Sequence, residues 1–481
     1  MVLIDEHCQR TGSIAEPYEC TLNQTDLKTN KNKFYIMQVI QESKSQHCLY
    51  IRYGRIGEVG RISYQNGSLE FCVNKFKTQF KSKTKNNWES RKQFVKFKDK
   101  YYLTEKQAAP PKDDQAKKIE QEAEKEKPKS KLHDRVISFL DLVGDIKMLN
   151  QTLSKLNIDT KKMPLGAISG NQLDKAENVL DRIQEAIEGK TNNHDLMDLS
   201  SEYYTYVPLV TASRTWRPPV LDTQTQLDKA RENLEDLRNV KIAYSAVEQD
   251  NSKDAPKEHP ADTLYGKLDT EIVPLDRNDP MWAEIEKYVY QTQGTTHHCR
   301  VKLVDIYQIG RNPDKKVLTL MGNRHLLWHG TRLSNYISIL KKGLILRPEL
   351  LGSNVHITGK MFGMGLYGAN SFSKSFNYTY CDPGQEACLF LGEFSLGKVL
   401  HKTQSDYYLN KEVLKKQGGY HSTWGQGQWT PDGMAEINKV KVPNGKLVRS
   451  SVANACLMYD EFIVYDEKQV KLKYIVRIKS D

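Results

Sequence analysis

Three short segments in the last third of this 481-residue chain hold the residue types that chemistry needs. Leu326-Leu327-Trp328-His329-Gly330-Thr331-Arg332 runs an apolar strand into a His-Gly pair, and the imidazole is a short, rigid hydrogen-bonding group. Gly359-Lys360-Met361-Phe362-Gly363-Met364-Gly365-Leu366-Tyr367-Gly368-Ala369-Asn370 is followed by Ser373-Lys374-Ser375 and Tyr378, crowding hydroxyls, an amine and aromatic faces into one stretch. Tyr459-Asp460-Glu461-Phe462-Ile463-Val464-Tyr465 sets a carboxylate at the start of an apolar strand, and a fixed negative charge suits a reaction that develops positive charge. Gly363-x-Gly365-x-x-Gly368 spells the dinucleotide fingerprint, with Asp382 nineteen residues past Gly363. That fingerprint needs an apolar strand before it, whereas Gly352 to Gly359 is polar and Asp382-Pro383-Gly384 is a turn, so hydride transfer is not expected. Taken singly, the glutamate reads as a surface residue, and the histidine and tyrosines as core.

Metal chemistry is not expected either. In His297-His298-Cys299, neighbouring side chains on a strand point to opposite faces. The eight cysteines include no Cys-x-x-Cys, and the closest pair, Cys381 and Cys388, is seven apart. Reduced thiols of an intracellular protein fit this better than a zinc ribbon or a disulfide framework.

The elements that position these segments follow from length and period. At roughly 150 residues per domain, the chain has room for about three domains. With 38% hydrophobic and 27% charged residues, wholesale disorder and a coiled-coil rod are excluded. No apolar run is long enough to span a membrane, and the opening Met-Val-Leu-Ile-Asp-Glu-His turns acidic too early for a secretory signal. Phe34 to Tyr64 alternates in β-like runs closed by Gly54, Gly57 and Gly60, so residues 1–104 read as a small α+β domain. Residues 105–130 carry seven acids, seven bases and Pro110-Pro111, the composition of a linker. From Lys131 the period turns helical: Val136, Phe139, Leu140 and Val143 share a face, as do Leu173, Ala176, Val179, Leu180, Ile183 and Ile187. A helical bundle is expected over 131–250 and a region of mixed strands over 261–481.

The net charge of +11 is concentrated at one end. Residues 1–104 hold 18 basic and 10 acidic side chains, and ten basic residues between Lys75 and Lys100 face only Glu89 and Asp99. Aromatic residues interleave these lysines, so the cations sit on a folded surface suited to neutralising phosphates.

Taken together, the three chemistry-bearing segments resemble the ADP-ribosyltransferase domain of the poly(ADP-ribose) polymerase family. Lys161-Lys162-Met163-Pro164-Leu165-Gly166, Leu199-Ser200-Ser201-Glu202-Tyr203-Tyr204-Thr205 and Ile242-Ala243-Tyr244-Ser245 resemble the helical regulatory domain of its DNA-dependent members. Tyr50-Ile51-Arg52-Tyr53-Gly54-Arg55 with Asn87-Trp88 resembles their WGR domain. The resemblance implies a multidomain chain without zinc fingers: an α+β WGR domain (1–104), a charged linker (105–130), an all-α regulatory bundle (131–250) and an α+β catalytic domain with antiparallel-rich sheets (261–481).

It also implies roles. Glu461 would bond the 2′-hydroxyl of the nicotinamide ribose of NAD⁺ and polarise the acceptor hydroxyl, and His329 would hold the adenosine-ribose hydroxyls. Tyr367 and Tyr378 would sandwich the nicotinamide, Gly330 and Ser375 would bond its carboxamide, and Lys374 would lie near donor and acceptor. Tyr53, Arg55, Lys75, Lys77, Lys81, Lys83 and Trp88 would contact DNA. NAD⁺ would be the substrate, with no metal. The implied function is a nuclear, DNA-break-activated ADP-ribosyltransferase acting on itself and other proteins, with the helical domain covering the NAD⁺ site until DNA loosens it. A single-unit transferase and a DNA-end scaffold with a silent transferase fold are the alternatives.

The chain departs from the family pattern at Tyr53, where relatives carry the WGR tryptophan, and at Ile345 and Lys360 beside the donor pocket. It ends at Lys479-Ser480-Asp481, shorter than relatives whose tail docks an accessory factor, which leaves serine-directed modification through such a partner open.

Overall fold

A computed structural model describes residues 4–104, 128–156, 169–189, 195–210, 215–247, 258–296, 300–311, 321–346 and 361–481. The linker at 105–127, the segment 161–166, the polar stretch 248–257, His297-His298-Cys299 and Lys360 lie outside the described residues. The chain divides into two compact units, Met1–Lys118 with Leu149–Lys241, and Ile119–Met148 with Ile242–Asp481.

In the first unit, five antiparallel strands run in the order Arg61–Gly67, His47–Arg55, Lys31–Gln41, Ser13–Asp26, Tyr102–Thr104. Alternation directs Leu22, Met37, Leu49 and Ile51 to one face, where Cys72, Phe76 and Phe80 of the helix Leu69–Thr84 cover them. The Ser68 hydroxyl caps that helix by accepting from Phe71 N at 3.2 Å, and Lys85, at φ 64°, ends it in a left-handed turn. The sheet carries on into helical residues: Thr25 N donates to Thr205 Oγ1 at 3.2 Å and Leu27 N to Ser201 Oγ at 2.9 Å. The helix Gly170–Ile187 is tied to the helix Gln224–Val247 by Arg231, which is buried against Glu177 (2.9 Å) and Asp181 (2.8 Å).

In the second unit, a seven-stranded sheet runs Ala435–Ile437, Val440–Val442, Arg324–Gly330, Glu386–Ser395, Val470–Ser480, Val301–Arg311, Thr270–Pro274. It is antiparallel except where Val440–Val442 meets Arg324–Gly330. The strand Glu386–Ser395 is buried along nearly its whole length, which accounts for its unbroken apolar run from Ala387 to Leu391. A four-stranded sheet (Val399–Lys402, Ser422–Gly425, Glu461–Val464, Leu366–Gly368) and a three-stranded one (Leu447–Arg449, Gly427–Pro431, Leu457–Tyr459) complete an α+β, mostly antiparallel architecture. The helix Pro280–Gln291, capped by Asp279 and opened by proline, buries Trp282, Ile285, Tyr288 and Val289 in this core.

The helical region expected as one bundle is shared between the units. Its first helix, Asp134–Val143, belongs to the second unit, where Arg135 grips Asp305 (Nε to Oδ2 2.9 Å) and Ser138 accepts from Arg477 at 2.9 Å. Helical periodicity specifies that a face is buried, but not what buries it.

Candidate active site

The strand Glu461–Val464 lies between Ser422–Gly425 and Leu366–Gly368, pairing Ile463 with Tyr367 and Phe462 with Gly368. Trp328 and Ala369 then exchange two backbone hydrogen bonds at 2.8 and 2.9 Å. Those two pairings bring the three chemistry-bearing segments to one place. The glycines of the second segment serve this packing. Gly363, at φ +72°, lies against the Leu409 backbone, Gly365 faces the Ile463 side chain, and a Cβ on Gly368 would sit 2.8 Å from Phe394 Cζ.

Glu461 is 9% exposed, and its Oε1 is 2.9 Å from Lys374 Nζ. The same ammonium donates to Tyr459 O at 2.7 Å, so Lys374 grips residues 459 and 461 together. Burial pushes the Lys374 pKa below its ordinary value, with the Glu461 carboxylate opposing the shift. Lys374 and Ser375 lie on the short helix Phe372–Asn377, whose cap, Ser371, accepts from Lys374 N.

His329 Nδ1 is 3.0 Å from Tyr367 O. A carbonyl only accepts, so Nδ1 carries a proton. The Tyr367 hydroxyl donates to Gly363 O (2.8 Å) and accepts from Phe362 N (3.1 Å), and burial holds its pKa well above the ordinary phenol value. Gly330 is obligatory for a local reason: a Cβ there would overlap the Ser375 carbonyl. Ser375 Oγ donates to Trp328 O at 3.2 Å, leaving it lone pairs to present. Tyr378 follows that short helix as its C-cap and is half exposed. Ile345 is half exposed as well.

The residues expected at DNA are distributed unevenly over the first unit. Lys75 and Lys81 are exposed on the helix Leu69–Thr84, while Lys77 pairs with Glu89 at 2.7 Å. Lys83 lies 4.7 Å from the Tyr35 ring centroid, and burial lowers its pKa. Tyr53, 38% exposed, stacks on Tyr35 with centroids 5.5 Å apart. Arg55 donates to Asn30 O (2.9 Å), Asn30 Oδ1 (3.0 Å) and Trp216 O (3.0 Å), contacts that fix backbone. Trp88 is interior at 4% exposure, its ring edge-on to Phe76 and Phe80 at 4.7 and 5.0 Å, so it supports the helix from within.

Sequence reasoning gave no role to Asn370, Ser371, Thr292, Ser373 and Asp460, all of them buried. Ser371 Oγ donates to Thr292 O at 3.0 Å and Ser373 Oγ accepts from Gly294 N at 2.8 Å, anchoring the Lys374 helix. For all but Thr292, the signal was only that they are small polar residues within or next to the quoted segments. Among the described residues, no group of three His, Cys, Asp or Glu is placed to hold a metal ion, and no helix is long and apolar enough to cross a membrane.

Three family models match in chain order: the WGR domain over 18–95, the poly(ADP-ribose) polymerase regulatory domain over 130–265 and the poly(ADP-ribose) polymerase catalytic domain over 281–480. A poly(ADP-ribose) polymerase of Sarcophaga peregrina is 32% identical over 96% of this chain, which spans 46% of that protein's length. Poly(ADP-ribose) polymerase 2 of Homo sapiens is 31% identical and poly(ADP-ribose) polymerase 2-A of Oryza sativa 32% identical, each over 96% of this chain and over 79% and 70% of their own lengths. The ordered domain matches and the depth of coverage in the human and rice proteins place this chain in the poly(ADP-ribose) polymerase family.

Proposed function

We propose that the chain cleaves the nicotinamide–ribose bond of NAD⁺, passes ADP-ribose to protein acceptors including itself, and elongates the product when broken DNA engages the first unit in the nucleus. The observation that carries the reading is Glu461, a buried carboxylate fixed by Lys374 at the meeting point of all three segments. Loss of a pyridinium leaves an oxocarbenium-like ribose, and a carboxylate held in place stabilises it without reorganising at the moment of reaction. His329, whose ring is fixed through Nδ1 at Tyr367 O, would hold the adenosine-ribose hydroxyls, and Gly330 and Ser375 would bond the carboxamide. Tyr367, its hydroxyl held at two backbone atoms, supplies a fixed aromatic wall. The basic surface of the first unit supports contact with DNA.

The test is incubation with labelled NAD⁺, with and without nicked DNA, sizing the product and measuring free nicotinamide. Long polymer that depends on DNA is expected, and Glu461→Gln should abolish elongation while NAD⁺ affinity stays close to wild type. Single-unit product throughout would make the chain a mono-transferase, and no nicotinamide release would leave the scaffold reading.

A further inference from the structure

Asp460 is the one residue between the strands Leu457–Tyr459 and Glu461–Val464, which belong to different sheets. Gln426 makes the same crossing alongside it, between Ser422–Gly425 and Gly427–Pro431. The crossings touch, for a Cβ on Gly427 would lie 2.6 Å from Asp460 N. A chain that changes sheets leaves backbone donors without a ladder partner, and an unpaired buried N–H is costly. Asp460 Oδ1 accepts the Gly427 N–H at 2.7 Å. Its other oxygen accepts from Asn370 Nδ2 at 2.8 Å, with Asp460 1% and Asn370 3% exposed.

Asn370 stands between Ala369, which is bridged to Trp328, and Ser371, the cap of the Lys374 helix. The backbone from 459 to 461 is therefore held from one side by two adjacent grips. Lys374 takes Tyr459 O and Glu461, and Asn370, at the base of the same helix, takes Asp460. We propose that Asn370 and Asp460 are a positioning dyad that sets Glu461 at Lys374, an inference that rests on reading this cleft as the NAD⁺-cleaving site. Neither side chain touches the reacting atoms. Their chemistry is complementary in one sense only, because a carboxylate accepts from both donors while the asparagine must donate.

Polarity makes the dyad separable from mere bulk. Asp460→Asn can keep both contacts, its Oδ1 accepting the Gly427 N–H and its Nδ2 donating to Asn370 Oδ1 once that amide turns over. Asn370→Asp faces one carboxylate with another. In the reciprocal double variant Asn370→Asp/Asp460→Asn, the amide at 460 donates to the carboxylate at 370 and its oxygen keeps the Gly427 N–H.

With the full chain and nicked DNA, nicotinamide release should show kcat reduced on the order of 10- to 100-fold in Asn370→Asp, the scale of a misplacement near 1 Å, and far less in Asp460→Asn, with KM for NAD⁺ little changed. The double variant should recover most of that loss. Crystal structures should show the Lys374–Glu461 pair opened beyond 4 Å in Asn370→Asp and closed in the double. An Asn370→Asp variant with wild-type kcat, a double no better than it in activity or folding, or an intact pair in that single would each overturn the dyad. A wild-type chain that releases no nicotinamide would instead sink the reading of the site, and the ion-pair geometry in the three variants would still decide the dyad.

Discussion

Replacing Lys374 by methionine keeps the length of its stem and removes only the ammonium. Both side chains of the Lys374–Glu461 pair are 12% exposed and their charged atoms are 2.9 Å apart. At an effective dielectric near 20, Coulomb attraction at that distance is about 6 kcal/mol. The depressed pKa of Lys374 says that lost hydration outweighs this attraction for the ammonium. Burying two charges costs several kcal/mol that their attraction offsets, and removing one member strands the other as an uncompensated buried charge, at about 3–5 kcal/mol. Lys374→Met alone should lower the melting temperature of the catalytic unit by roughly 10 °C, taking about 2–4 °C per kcal/mol for a domain of this size. Glu461→Gln added to it removes the stranded charge and should return most of that loss. A double-mutant cycle by calorimetry measures the coupling, expected at about 3 kcal/mol. A single variant as stable as wild type, or a double whose losses simply add, would refute the argument that Lys374 is there to hold a buried carboxylate.

Gly330→Ala places a methyl on the Ser375 carbonyl, so nicotinamide release should fall by about 100-fold or more with a lower melting temperature, as the close approach has no flexible neighbour to give way. Lys75→Ala/Lys81→Ala should reduce the slope of log DNA affinity against log salt by about 2, measured by anisotropy, if both exposed cations neutralise phosphates. Lys77→Ala should change it less, since that ammonium already has Glu89 at 2.7 Å. His325 is buried beside Lys441, and burial first, then that ammonium, lowers its pKa from 6.5 to about 4. The unfolded chain takes up this proton first as pH falls, so its contribution to stability is complete above pH 6.5 and declines by up to about 3 kcal/mol by pH 4. Urea midpoints across that window should flatten in His325→Gln, and an unchanged acid slope would remove His325 from the account.

What sequence alone made legible were features whose cause lies within a few residues. Leu173, Ala176, Val179, Leu180 and Ile183 are buried along one helix as their spacing requires, and Leu389 to Phe394 is a strand enclosed on both sides. The close grouping of His329, Tyr367, Lys374 and Glu461 was reached through resemblance, since no period links positions 329 and 461. What stayed hidden depends on partners far along the chain. Trp88 among lysines looked like part of a binding face, and only the return of Phe76 and Phe80 from the preceding helix makes it core. The proton on His329 is decided by a carbonyl 38 residues away, and the Asn370–Asp460 bond joins residues 90 apart. Gly330 shows the same limit from the other side. Resemblance gave it a carboxamide to bond, whereas the atom that excludes a side chain is the Ser375 carbonyl, so the glycine is needed before any ligand arrives. A residue type in such a site reports the tightest neighbour it must accommodate, and here that neighbour is as often the protein's own backbone as the molecule it would bind.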